Sequence, residues 1–153
     1  MIDYIMQIGG ESDNLTFGKG ELEITLAQEE DTLQQYNEDP LGFFMIAEHE
    51  GKIIGNINLK THNRARVRHN GEFGVSVLKA YWRNGIAEVL IGELIEWAKA
   101  GGVVTKIDLR VRDDNAGAIA LYKKMGFVEE GHISRQFLID GVYYSAYYMG
   151  LKL

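Results

Sequence analysis

Residues 82–87, Trp82-Arg83-Asn84-Gly85-Ile86-Ala87, form a turn whose composition suits it to hold an anion. It separates an alternating run, Glu72 to Leu78, from an amphipathic run that ends at Gly101-Gly102. A helix starting at such a turn aims backbone N–H groups without intrahelical partners at whatever lies ahead, and its dipole adds partial positive charge. Gly85 and the small Ala87 let a bulky anion reach the backbone, while Arg83 and Asn84 add a charge and a donor. An ordinary strand-to-helix turn with one glycine has the same sequence, so the turn alone decides nothing.

Other chemistries find less support. Cysteine is absent, which removes disulfides, a thiol nucleophile and cysteine-based zinc sites. His49, His62, His69 and His132 show no metal-ligand spacing, so no metal is expected. Gly74-Val75-Ser76-Val77 lacks the second glycine of a nucleophile elbow, and no Gly-Lys-Ser or Gly-Lys-Thr follows a glycine-rich run.

The elements around the turn follow from periodicity. Phe73, Val75 and Val77 alternate with Gly74 and Ser76, which predicts a strand over 72–78. Ile86, Leu90, Leu94 and Ala98 recur every fourth residue and predict a helix stopped at Gly101-Gly102. Residues 2–8 read as the last turns of a helix closed by Gly9-Gly10, and 9–20 as a loop. Thr25 with Gln28 is a capping-box pattern opening a helix to about Tyr36, ended by Asn37 to Pro40. Phe43–Glu48 and Lys52–Lys60 read as a hairpin, and Thr61 to Gly71 as a basic loop. Lys106 to Arg112 alternates as a strand, Asn115 opens a short helix halted at Gly126, and Ser134–Ile139 pairs with Val142–Leu151 across Asp140-Gly141. A helix between the strands at 72–78 and 106–112 implies that they lie parallel.

The 153 residues, 46% hydrophobic and 25% charged, fit one domain over 1–153. No run of about 18 apolar residues and no leader pattern is present, so neither a membrane span nor secretion is expected. With no cysteine, that reading favours the cytoplasm. A net charge of −6 argues against nucleic acid as a partner and suits a cationic one, such as an amine.

Taken with its flanks, the turn resembles the pyrophosphate loop of the GNAT superfamily, the acetyl-CoA-dependent N-acetyltransferases. The resemblance is closest to the branch that includes ribosomal-protein and polyamine acetyltransferases, whose members often carry Tyr-Trp before this loop, as Tyr81-Trp82 do here. That loop reads Arg or Gln, two residues, Gly, one residue, Gly or Ala; here the glycine and final small residue fit, and Trp82 replaces the first position. A second block agrees: Asn115, Ala118-Ile119, Leu121-Tyr122, Gly126-Phe127 and Glu130-Gly131. The resemblance implies a layered α/β fold, its mixed, mostly antiparallel sheet carrying a splayed central parallel pair flanked by helices. Set against that pattern, the chain is expected to lack the family's N-terminal edge strand.

It further implies acetyl transfer from acetyl-CoA to an amine acceptor by direct attack in a ternary complex. Glu72 is then the base, acting through a water, and Tyr122 the acid beside the sulfur. Val75 offers a backbone N–H to the carbonyl oxygen. Val75 and Val77 pair with the pantetheine arm across a gap that a bulge near Gly74 would open, and Asn115 hydrogen-bonds the cofactor. Arg83, Asn84, Gly85, Ile86 and Ala87 cradle the pyrophosphate. Glu11, Asp13 and Phe17 become acceptor contacts, and the aromatic terminal hairpin (Phe137, Tyr143, Tyr144, Tyr147, Tyr148) a homodimer surface. The competing reading keeps the fold and CoA binding but not the catalysis, leaving a sensor or interaction module.

Overall fold

In the computed structural model, which describes residues 1–153, the alternating runs build one six-stranded sheet and the fourfold runs pack onto it. The helices are α1 (Ile2–Glu11), α2 (Leu26–Glu38), α3 (Ile86–Gly101) and α4 (Ala116–Lys124). The strands are β1 (Phe43–His49), β2 (Lys52–Thr61), β3 (Asn70–Val77), β4 (Lys106–Arg112), β5 (Val128–Ile139) and β6 (Val142–Lys152). Their order is β1-β2-β3-β4-β6-β5, and only β3 and β4 run parallel, as the crossover through α3 requires.

That parallel pair is zipped for three positions only: Asn70 opposite Lys106, Gly71 opposite Ile107, Glu72 opposite Asp108. Beyond them β3 stays with β2 as far as Val77 opposite Gly55, and β4 stays with β6 as far as Arg112 opposite Ala146. A wedge-shaped gap opens between the carboxyl ends of β3 and β4. No bulge makes it. The β2–β3 register runs unbroken through Gly74 opposite Asn58, contrary to the expected irregularity there. Each strand follows its antiparallel outer neighbour, and the parallel ladder, less stable per residue, is the one that yields.

One face of the sheet is the core. Leu90, Ile91, Leu94, Ile95 and Ala98 of α3 bury against Phe43, Ile57, Leu59, Phe73, Ile107, Leu109 and Val111, with Tyr122 and Phe127 closing the far side. Gly71 is required at this seam, since a Cβ there would lie 2.7 Å from a Leu59 methyl. The opposite face is polar around the gap and carries Glu72, Asp108, Arg110, Arg112 and Tyr148. At one end it is covered by α1, whose Tyr4 and Ile8 pack on Leu78.

Three boundaries differ from expectation. α1 runs through Gly9 and Gly10 to Glu11, because Gly9 sits against the Phe17 ring, where a Cβ would be 3.0 Å away; close packing, not termination, explains the glycine. β5 begins at Val128, six residues early, its start disguised by Glu129-Glu130-Gly131 and a register shift there. β3 reaches back to Asn70. The capping box forms as predicted, Thr25 Oγ1 accepting from the Gln28 N–H and Gln28 Oε1 from the Thr25 N–H. No helix is long and apolar enough to cross a membrane.

Candidate active site

The end of β3 shapes the anion turn. After Leu78 the chain makes a 3-10 turn, Lys79–Tyr81, then takes positive φ at Arg83 (63°) and Gly85 (78°) before α3 begins. Gly85 occupies the N-cap position with no capping side chain, so the first N–H groups of α3 face out from the mouth of the gap. Asn84 does not reach outward; its amide donates to Tyr81 O (3.1 Å) and Trp82 O (3.4 Å) and stiffens the turn. Trp82, in the position that departs from the expected Arg or Gln, donates from Nε1 to Val77 O at 2.6 Å and ties the turn back to β3. Arg83 stands exposed beside the helix start.

The gap's β3 wall can be read from the ladder. The Leu78 N–H donates to Ile54 O, so Ser76 and Gly74 also address β2, and Val75 and Val77 turn their main-chain groups toward the gap. The Val77 carbonyl is taken by Trp82. The Val75 N–H and C=O and the Val77 N–H remain along this edge.

On the core side, Tyr122 packs edge-on to Phe73 and Phe127, both 6.0 Å away. Only 9% of its surface is exposed, and burial pushes its hydroxyl up to about 12, with no hydrogen bond in the chain to offset this. It is therefore a proton-bearing donor at neutral pH. Asn115 Oδ1 accepts from the Ala118 N–H (3.2 Å) and caps α4, so the residue is structural as well as adjacent to the gap.

On the polar side, Glu72 and Arg110 bridge the two strands where they part, Arg110 Nε donating to Glu72 Oε1 at 2.6 Å. Beneath them Asp108 is almost wholly buried, paired with Lys106 and accepting from the Tyr148 hydroxyl at 2.7 Å. Burial, reinforced by that carboxylate, lifts the Tyr148 hydroxyl to about 12. Glu130 shares Lys106 at 2.8 Å. Sequence reasoning passed over Lys106, Asp108 and Arg110. Their signal was charge at every second position of a strand bounded by two others, which a central strand does not place on its surface without a purpose.

Over the gap's mouth, the segment after α1 roofs a cavity of about 460 Å³ bordered by Asp13, Lys79, Trp82, Arg112 and Asn115. Arg112 is the post that holds this roof. It stacks 3.8 Å from the Tyr144 ring centroid, forks onto Asp114 (2.9 and 2.6 Å) and donates to Asp13 O at 3.0 Å. The three expected acceptor contacts part company here. Glu11 accepts from Gln7 (2.7 Å) and the Lys79 N–H (2.8 Å), contacts that lower its pKa and commit it to bracing the turn. Phe17 packs on Gly9. Asp13 borders the cavity with its carboxylate still available. In the terminal hairpin Tyr144 and Tyr148 serve these contacts and Tyr147 packs against His132, which leaves Tyr143 exposed beside Leu138 and Val142.

Comparison with known proteins agrees with this geometry. The model of the acetyltransferase (GNAT) family matches residues 12–127. An L-amino acid N-acetyltransferase of Escherichia coli is 37% identical over 100 residues, 65% of this chain and 62% of that protein, so the chain spans less than two thirds of that relative. A GNAT-family acetyltransferase structure from Streptococcus pneumoniae superposes with a TM-score of 0.95 at 30% identity, covering 99% of this chain and 90% of that one. An acetyltransferase from Salmonella typhimurium, solved with acetyl-CoA, shares the fold at a TM-score of 0.80 and 17% identity, over 99% of this chain and 85% of its own.

Proposed function

Since the chain belongs to the GNAT acetyltransferase family, we propose that its single domain binds acetyl-CoA in the β3–β4 gap and transfers the acetyl group to a primary amine by direct attack in a ternary complex. The observation that carries this is the gap itself, open where the strands part. The uncapped start of α3 at Gly85, Ile86 and Ala87, with Arg83 beside it, suits a pyrophosphate. The main-chain groups of Val75 and Val77 suit the amides of a pantetheine arm, as a sheet edge receives an added strand. Asn115 caps α4 and Tyr122 is carried on it, and in this reading both would meet the cofactor at the inner end. No buried side chain blocks the turn, since a Cβ at Gly85 would meet nothing within 4 Å.

Acetyl-CoA supplies a thioester whose acyl carbon is open to an amine. The chain's part is to position and to move protons. The Val75 N–H is a preorganised donor for an oxygen that gains charge. Tyr122 holds a proton on Oη for the departing sulfur. Glu72, on the polar face, takes the proton that an ammonium must lose. With no cysteine in the chain, a thiol acyl-enzyme is ruled out and direct transfer is the simpler route.

The test is thiol release from acetyl-CoA across a panel of primary amines, with Glu72→Gln and Tyr122→Phe alongside. Turnover by the parent with slowed variants supports the proposal. Acetyl-CoA binding without turnover of any amine would support the sensor or interaction-module reading instead.

A further inference from the structure

The turn between β3 and α3 carries one contact that the proposed function leaves without a task. Trp82 Nε1 donates to Val77 O at 2.6 Å, although the indole is 43% exposed and borders the cavity over the gap's mouth. Burial does not explain a tryptophan left that open; the N–H is what a phenylalanine there would lack. Resting on that function, we infer that Trp82 is a positioning residue for acetyl-CoA: its indole N–H fixes how far the pyrophosphate site lies from the strand edge that receives the pantetheine arm.

Val77 ends that edge. The β3–β4 ladder stops at Glu72 opposite Asp108, so the Val77 carbonyl faces the gap with no strand to pair with. Left open, it would need another donor and the turn could swing about it. The indole takes this acceptor, which leaves the N–H and C=O of Val75 and the N–H of Val77 for an incoming arm. On the far side of Trp82 the Asn84 amide donates to Tyr81 O (3.1 Å) and Trp82 O (3.4 Å), and Gly85 then opens α3. Between these two braces Arg83 holds φ at 63°, a left-handed conformation that costs a non-glycine residue and lasts only where neighbouring contacts impose it. The stretch from Val77 to Gly85 is therefore a strut of set length between the two subsites.

A ligand that spans two subsites gains from the second only when their spacing matches its own. Acetyl-CoA carries its amides and its pyrophosphate on one chain. A slack turn would weaken binding of the whole molecule and leave the site for each half intact. Trp82 acts through Val77 and the turn, not on the reacting atoms, so its effect falls on acetyl-CoA affinity and not on the chemical step.

The test compares the parent with Trp82→Phe, which keeps a ring and loses the donor, and with Trp82→Gln, which loses the ring and keeps a donor. The contact is exposed, so both variants should fold, as thermal melting checks. Calorimetry titrates acetyl-CoA, and nuclear magnetic resonance titrates two fragments of it: S-acetylpantetheine, which lacks the pyrophosphate, and ADP, which lacks the arm. Trp82→Phe is expected to bind acetyl-CoA about tenfold more weakly, the scale of one hydrogen bond. Its KM for acetyl-CoA should rise while kcat stays within about twofold. Its affinity for either fragment should stay within about twofold of the parent's, and Trp82→Gln should bind acetyl-CoA more tightly than Trp82→Phe. Parent-like acetyl-CoA binding by Trp82→Phe, a loss for one fragment as large as for the whole, or a glutamine variant no tighter than the phenylalanine one overturns this inference and leaves the proposed function standing. A folded parent that binds no acetyl-CoA overturns both.

Discussion

Replacing Tyr122 with phenylalanine separates chemistry from packing at one atom. The ring keeps its edge contacts with Phe73 and Phe127, both 6.0 Å away, and the hydroxyl it loses has no hydrogen-bond partner in the chain. The only fully buried side-chain polar atom without a partner is Asn70 Oδ1, so the Tyr122 hydroxyl keeps some contact with solvent and its loss should cost the fold little. Stability at pH 7 should therefore hold. At high pH the sign is fixed by the direction of the shift. The folded value is raised to about 12 from an ordinary 10, so above pH 10 the unfolded chain gives up this proton first and stability falls until about pH 12. Two units correspond to roughly 3 kcal/mol, and the variant should lack that share of the alkaline loss. Catalysis should move the other way. An acid of this kind contributes about 10²–10⁴ in rate, so kcat should drop on that scale while acetyl-CoA binding changes little. Thermal melts from pH 7 to 12 and thiol-release kinetics read both effects. A folded variant with kcat within threefold of the parent would refute the assignment of the proton to Tyr122.

Other residues give independent checks. Gly150→Ala would bring a Cβ to 2.8 Å from both Asp108 Oδ1 and the Glu130 carboxyl carbon; calorimetric melting should show a loss of about 1–3 kcal/mol. Tyr4 is 5% exposed, its hydroxyl bound to Ser76 O (2.9 Å) and Ser76 Oγ (2.7 Å) and pushed up to about 12. Tyr4→Phe should cost about 1 kcal/mol at pH 7 in denaturant unfolding and flatten the decline between pH 10 and about 12. Arg112→Ala removes the stack on Tyr144 and the bond to Asp13 O. Hydrogen exchange should then quicken in residues 12–14 more than in β3; protection unchanged there would show that Arg112 does not hold the roof.

Periodicity made most of the framework legible. The fourfold spacing of Ile86, Leu90, Leu94 and Ala98 became α3 with the bounds the glycine pair implied, and alternation in Lys106–Arg112 became β4. What stayed hidden depends on long-range pairing. The gap between β3 and β4 arises because each strand keeps its outer partner, a competition with no local sequence mark; Gly74, which invited a bulge, sits in regular register. Gly9 looked like a stop and is a packing contact with Phe17, eight residues along the chain. Glu11 and Asn84 had the right chemistry for ligands, yet their hydrogen bonds go to Lys79 and to Tyr81 and Trp82, because a tight turn with positive φ at Arg83 leaves main-chain groups that need nearby partners. The pair Glu72–Arg110 is 38 residues apart in sequence, and only the parallel register brings it together.

Calorimetric titration of acetyl-CoA into the parent and into Gly85→Asp tests the central claim most directly. Gly85 holds φ at 78° with open space where a Cβ would go, so aspartate costs the fold about 1–2 kcal/mol. It also sets a negative charge at the start of α3, where a pyrophosphate would sit. The account predicts micromolar binding by the parent and loss of binding by the folded variant. A folded parent that takes up no acetyl-CoA, or a variant that binds as tightly as the parent, would contradict it.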